Sequence, residues 1–166
     1  MMAVFRPKEI LETYTDLDIE RLRKQGFDTI FIDVDNTIAI PNTGTCDERA
    51  EKFLRDLKKA GFKVLILSNN NSRRVRMFLR DIDVDFVSLA LKPLPFGYLR
   101  ALLKTGSKPS KTIVLGDQLL TDILGANMCG CYGIYTKRLQ KKDSKLTAFN
   151  RRIEDYVWRK ILHEKM

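Results

Sequence analysis

A chain of 166 residues with 44% hydrophobic and 31% charged residues can bury a real core but is too short for two ordinary domains, so one domain over residues 1–166 is expected. No apolar run approaches the roughly 20 residues that a membrane-spanning helix needs, and Arg6, Lys8 and Glu9 interrupt the N-terminus before a signal-peptide core could form, which predicts a cytoplasmic location. The formal charge of +9 favours acidic partners such as nucleic acid, anionic lipid headgroups or phosphorylated substrates, and says nothing about fold.

Phe5, Ile10, Leu11 and Tyr14 near the N-terminus suit packing on the domain or contact with anionic lipid or RNA, and Asp18 to Lys24 reads as a short helix. Thr29 to Ile32 is a buried strand, since apolar and β-branched side chains suit a pleated surface covered on both faces. Asp47 to Ala60 places Ala50, Phe53, Leu54 and Leu57 at helical spacing, with Gly61 as a stop. Lys63 to Ser68 is a second strand. Ser72 is a candidate cap for a helix to about Ile82, with Val75, Phe78, Leu79 and Ile82 inside. Asp85 to Ala90, Thr112 to Asp117 and Tyr132 to Tyr135 read as strands, and Phe96 to Lys104 and Thr121 to Met128 as helices. Three cysteines, Cys46, Cys129 and Cys131, cannot all pair, and the C-x-C spacing matches neither zinc nor redox motifs, so reduced thiols are expected.

Strands alternating with helices predict an α/β fold, a Rossmann-like parallel sheet with helices on both faces. Ligands of such sheets bind beyond the carboxyl ends of the strands. Asp33 to Thr37, Ser68 to Asn71, Lys92 with Pro93, and Gly116 to Asp122 each follow a strand, so four polar segments converge on one edge. The interval from Asp35 to Ser68 is consumed by one helix and one strand, and that from Asn71 to Lys92 is equally full, which leaves no room for a cap domain.

Alternation along a strand turns Asp33 and Asp35 toward a common space, where two anions repel unless a cation joins them. Together the four segments supply the parts for phosphoryl transfer. Asp33 is the candidate nucleophile, because a carboxylate can form an acyl phosphate that water later cleaves. Asp35 suits the general acid and base. Magnesium, which prefers oxygen ligands, would be held by Asp33, Asp117 and the Asp35 backbone carbonyl. Lys92, Ser68, Asn69 and the backbone after Asp35, at Asn36 and Thr37, are the candidate phosphate contacts, with Asp122 orienting Lys92.

The motifs DVDNT, LSNN, KP and GDQLLTD, in this order, resemble those of the haloacid dehalogenase (HAD) superfamily from about Asp33 to Asp122. The resemblance implies Asp33 as nucleophile, Asp35 as acid/base, Ser68 and Lys92 as phosphate contacts, and Asp117 with Asp122 as the acidic motif completing a magnesium site. The stretches ILSNNNSRRV and VLGDQLLTDILGAN are similar to the capless IIIA subclass of YqeG type, related to phosphatidylglycerophosphate phosphatases. An open, capless site implies a large or membrane-held substrate, here phosphatidylglycerophosphate. A soluble or nucleic-acid terminal phosphate is the alternative within enzymes, and an RNA- or ribosome-binding module on the same fold is the alternative outside them.

From Lys137 onward ten Lys or Arg face four Asp or Glu. Leu146, Phe149, Ile153, Val157 and Ile161 recur at helical spacing, beside Tyr156 and Trp158, predicting a basic amphipathic helix over about 145–164. Such a stripe is what a terminal helix needs to dock on its own domain. Its outward charges would suit anionic lipid, giving peripheral contact at the inner membrane surface, or RNA. His163, the only histidine, lies in this tail far from every motif.

Overall fold

Thr29–Ile32 forms the central strand of a six-stranded sheet because every one of its side chains can be buried. Ile30 and Ile32 enter one core and Phe31 the other, as the two-residue period of a strand requires. The structure, a computed structural model, describes residues 2–41, 44–140 and 152–161. Its strands are β1 (Glu9–Leu11), β2 (Thr29–Ile32), β3 (Lys63–Leu67), β4 (Asp85–Val87), β5 (Thr112–Gly116) and β6 (Tyr132–Thr136). They are all parallel, in the order β1-β6-β5-β2-β3-β4.

The helices are α1 (Ile19–Lys24), α2 (Glu48–Lys59), α3 (Ser72–Phe78), α4 (Pro95–Thr105) and α5 (Leu124–Met128). Leu22 of α1, Phe53, Leu54 and Leu57 of α2, and Val75 and Phe78 of α3 close one face of the sheet. Tyr98, Ala101 and Leu102 of α4 and Ala126 of α5 close the other. Both faces are therefore covered, as an all-parallel sheet demands, and each fully buried aliphatic side chain contributes about 1.5–3 kcal/mol. Moving out from β2, the chain winds to β3 and β4 on one side and then to β5 and β6 on the other, where the earlier β1 pairs with β6 at the edge. The carboxyl end of β2 is thus the switch point at which such sheets open a crevice.

Several boundaries differ from the sequence reading. The cap of α3 is Asn71, whose side chain accepts the Arg74 amide at 2.9 Å, rather than Ser72. The helix stops at Phe78, not Ile82, because a turn is needed before β4, though Ile82 still packs on the core. β4 ends at Val87 rather than Ala90: Leu89 and Leu91 have φ of 46° and 56°, left-handed values that no strand accommodates. A π-helical turn, Leu119–Ile123, precedes α5, and the N-terminal apolar positions include an edge strand, β1, paired with β6. Burial pushes the Cys46 and Cys131 thiols up to about 12, in keeping with inert protonated groups.

Of the tail, residues 152–156 and the turn Val157–Ile161 are described; Leu146, Phe149 and His163 lie outside the described residues. Val157 and Trp158 pack with Leu119, Ile123 and Tyr135, the Trp158 and Tyr135 rings meeting edge-on at 5.5 Å. Ile153 and Tyr156 are exposed, whereas the carboxylate Glu154 is buried and accepts the Leu120 amide at 3.0 Å. The inward face is therefore rotated from the expected stripe, because a hydrogen bond to the turn after β5 outweighs apolar spacing. No helix among the described residues is long and apolar enough to cross a membrane.

Candidate active site

The ladder of β2 runs one residue beyond the strand, the Asp33 amide donating to Leu115 at 3.0 Å, which fixes Asp33 at the mouth of the crevice between β2 and β5. The chain then reverses. The Val34 carbonyl accepts the amides of Thr37, Ile38 and Ala39, and Asn36 takes a left-handed φ of 65°, which Asn tolerates better than most residues. This tight loop aims Asp33, Asp35 and Thr37 into the space above the sheet.

Asp117, directly after β5, and Asp122, on the following turn, join Asp33 there. Carboxylate oxygens of the three lie within 4.8 Å of one another, all buried. Lys92 bridges them: its Nζ donates to Asp33 Oδ1 and to Asp122 Oδ1, each at 2.6 Å. Burial works to lower the Lys92 pKa, but the two carboxylates outweigh it and raise it, so the ammonium stays charged. Burial, reinforced by Asp33, pushes the Asp122 carboxyl up to about 6 against the pull of Lys92. Both shifts express one fact: Asp33 and Asp122, buried together, share one ammonium. The Thr37 hydroxyl faces Asp33 Oδ2 at 3.4 Å and Asp117 Oδ1 at 3.2 Å, and its single proton cannot serve both. A cluster of oxygen donors with excess negative charge fits a hard divalent cation.

Lys92 is held by its backbone as well. Its amide donates to Asn69 Oδ1 at 2.7 Å and its carbonyl accepts Asn69 Nδ2 at 3.2 Å, a two-way clamp across the ends of β3 and β4. Its peptide bond to Pro93 is cis. Ser68 is buried, its Oγ accepting the Asn70 amide at 3.1 Å, which leaves the hydroxyl proton to be donated elsewhere. Asn36 is spent on the loop: its Oδ1 accepts the Gln140 amide at 3.3 Å and its carbonyl that of Leu139 at 3.0 Å.

Asp35 sits at the partly open rim. Burial raises its carboxyl above the ordinary value and Asp33 adds to the rise, while Arg74 and Asn70 restrain it. Arg74 donates to Asp35 Oδ1 at 3.0 Å, and Asn70 Nδ2 donates to Oδ2. Sequence reasoning assigned no role to Arg74 or Asn70. The available signal was their place, within three residues of the Asn71 cap, on the segment expected to converge on Asp35.

Gly116 is required by closeness rather than by backbone freedom. A Cβ there would overlap the Asp122 carboxylate. Gly116→Ala is therefore expected to displace Asp122 from Lys92, costing roughly 1–3 kcal/mol of stability as overpacking does, and to lower the turnover of any reaction that uses Lys92; urea denaturation and steady-state kinetics on one preparation check both.

A family model described as haloacid dehalogenase-like hydrolase matches residues 5–130. The chain is 33% identical over 150 residues to the probable phosphatase YqeG of Bacillus subtilis, covering 90% of this chain and 87% of that protein. It is 29% identical over 146 residues to a probable mitochondrial phosphatidylglycerophosphatase of Schizosaccharomyces pombe, covering 80% and 68%. Among solved structures, a HAD phosphatase from Thermococcus onnurineus shares the fold with a TM-score of 0.52 at 14% identity, over 72% of this chain and 90% of that one. A parallel sheet with no cap domain among the described residues, an acidic cluster at its switch point and kinship over most of the chain lead to one conclusion: this protein belongs to the haloacid dehalogenase-like hydrolases and is a phosphatase.

Proposed function

We propose that the chain is a magnesium-dependent phosphomonoesterase acting through an aspartyl phosphate on Asp33, with phosphatidylglycerophosphate as substrate and phosphatidylglycerol as product. The observation that carries the chemistry is the placement of Lys92 between Asp33 and Asp122 beside Asp117, all buried at the open edge of the sheet. Asp33 and Asp117, with the Asp35 backbone carbonyl, would hold the magnesium. When bound, the ion neutralises charge on the phosphoryl oxygens and on the attacking carboxylate.

In the first half-reaction an Asp33 carboxylate oxygen attacks phosphorus and the ester P–O bond breaks. Asp35 gives its proton to the departing alkoxide, a role suited to a carboxyl raised by burial and by Asp33. In the second, Asp35 takes a proton from water as the water oxygen attacks the acyl phosphate. The bond from phosphorus to Asp33 breaks, inorganic phosphate leaves and Asp33 is restored. Lys92 and the Ser68 hydroxyl contact the phosphoryl oxygens, where preorganised donors in a dry pocket stabilise developing charge most. Asp122 and Asn69 position Lys92, Arg74 and Asn70 aim Asp35, and Thr37 sets the spacing of Asp33 and Asp117.

The lipid substrate is supported by the kinship with the probable phosphatidylglycerophosphatase of Schizosaccharomyces pombe, by a site without a cap domain among the described residues, and by the +9 charge that draws anionic headgroups and favours peripheral contact with a membrane. The deciding experiment compares phosphate release from phosphatidylglycerophosphate in mixed micelles with release from soluble sugar phosphates and a 3′-phosphorylated oligonucleotide, with and without magnesium. Preferential, magnesium-dependent turnover of the lipid is expected. Equal turnover of small sugar phosphates would contradict the substrate, and salt-sensitive RNA retention without turnover would contradict the activity.

A further inference from the structure

One segment exposes six large apolar side chains, Leu89, Leu91, Leu94, Phe96, Leu99 and Leu103, the last 82% exposed. In the loop after β4 the chain alternates: Leu89 and Leu91 point out while Ala90 and Lys92 are buried. Along α4 the exposed Phe96, Leu99 and Leu103 follow helical spacing, opposite the buried Gly97, Tyr98, Ala101 and Leu102. The loop is not loose. The Leu89 amide donates to the Asn70 carbonyl at 2.8 Å and the Ala90 amide to Ser68 at 3.0 Å, and Arg100 of α4 donates to the carbonyls of Ser88 and Leu89 at 3.1 and 2.9 Å. Left-handed backbone at two leucines is costly, and these bonds hold both side chains outward rather than letting them fold in.

The charge around this surface names its occupant. From Phe86 to Gly116 there is no Asp or Glu, while Arg100, Lys104, Lys108 and Lys111 are basic, the buried Lys92 being spent on the site. The bordering Asp85 is paired with Lys104 at 2.7 Å. A second copy docking by the same face would bring the same acid-free surface and no charge to answer it. Exposed leucines and a phenylalanine with interleaved Arg and Lys suit an anionic bilayer, into which the apolar side chains insert while the cations meet headgroups.

We propose that the outward face of the β4–α4 loop and α4 is a docking surface for an anionic lipid bilayer, with α4 lying along the membrane and the Lys92 site opening beside its N-terminal end. The function of this surface rests on the lipid-phosphatase reading above, but its binding can be measured without turnover. The full chain is sedimented with vesicles of phosphatidylcholine alone and of phosphatidylcholine mixed with phosphatidylglycerol, alongside Phe96→Ser/Leu103→Ser and, separately, Leu99→Ser. The wild type is expected to pellet with the mixed vesicles and not the neutral ones. Each apolar side chain removed lowers that partitioning roughly tenfold, while turnover of soluble para-nitrophenyl phosphate stays unchanged. Failure to bind mixed vesicles, equal binding to neutral ones, undiminished binding by both variants, or a wild-type dimer that the variants convert to monomers would overturn the proposal. Loss of para-nitrophenyl phosphate turnover in the wild type would instead strike the catalytic reading and leave the vesicle result standing.

Discussion

Asp33→Asn is expected to fold and to lose phosphate release by at least about 10⁴-fold, or about 5.5 kcal/mol of transition-state stabilisation. The amide keeps the size of the carboxylate, and its oxygen can still accept from Lys92, now at 2.6 Å from Asp33 Oδ1. It cannot supply the electron pair that forms the acyl phosphate. Stability should hold, because the substitution removes one of three buried anions whose oxygens lie within 4.8 Å of one another. Phosphate release in single turnover and the thermal denaturation midpoint, measured on the same sample, separate chemistry from folding. Residual turnover near the wild-type level would mean that Asp33 is not the nucleophile.

Lys92→Met should instead damage both properties. The methionine side chain fills most of the same space, yet Asp33, Asp117 and Asp122 then face one another without their ammonium. Removing one partner of a buried ion pair costs about 3–5 kcal/mol at neutral pH, and removing a preorganised donor from a phosphoryl site costs about 10²–10³-fold in turnover. The pH dependence has a definite sign. Asp122 already stands at about 6 against an ordinary 3.8, and without Lys92 it moves higher. A carboxyl raised in the folded state carries no penalty below its unfolded value and the full penalty above its folded one. The stability gap between wild type and Lys92→Met should therefore stay nearly level from pH 4 to about 6, where Asp122 is protonated in both folded proteins, and widen above that in urea denaturation. A gap independent of pH would show that packing, not uncompensated charge, sets the loss.

Much of this site could be read from the chain because it is built at strand ends. An apolar run of strand length followed by Asp33 and Asp35, a second followed by Ser68, and a third followed by Gly116 and Asp117 must converge once the strands are parallel neighbours. The pairing of Asp35 with Arg74 and Asn70 was not legible, since it spans 39 and 35 residues and depends on the path of two loops. Nor was the Asn69 clamp on Lys92, which joins the ends of β3 and β4. The early end of β4 was hidden for a different reason: leucine ordinarily avoids the left-handed region, so Leu89 reads as continued strand until tertiary hydrogen bonds impose otherwise. In the tail, a glutamate between apolar positions reads as solvated, and only the Leu120 amide explains why Glu154 turns inward while Ile153 faces water.

A crystal of the wild type soaked with beryllium fluoride and magnesium bears most directly on Asp33 as the phosphorylated residue. Density for a trifluoroberyllate joined to an Asp33 carboxylate oxygen, with the Lys92 ammonium against its fluorines, is the predicted result. An unmodified Asp33 beside magnesium, or the adduct on Asp35, Asp117 or Asp122, would contradict it.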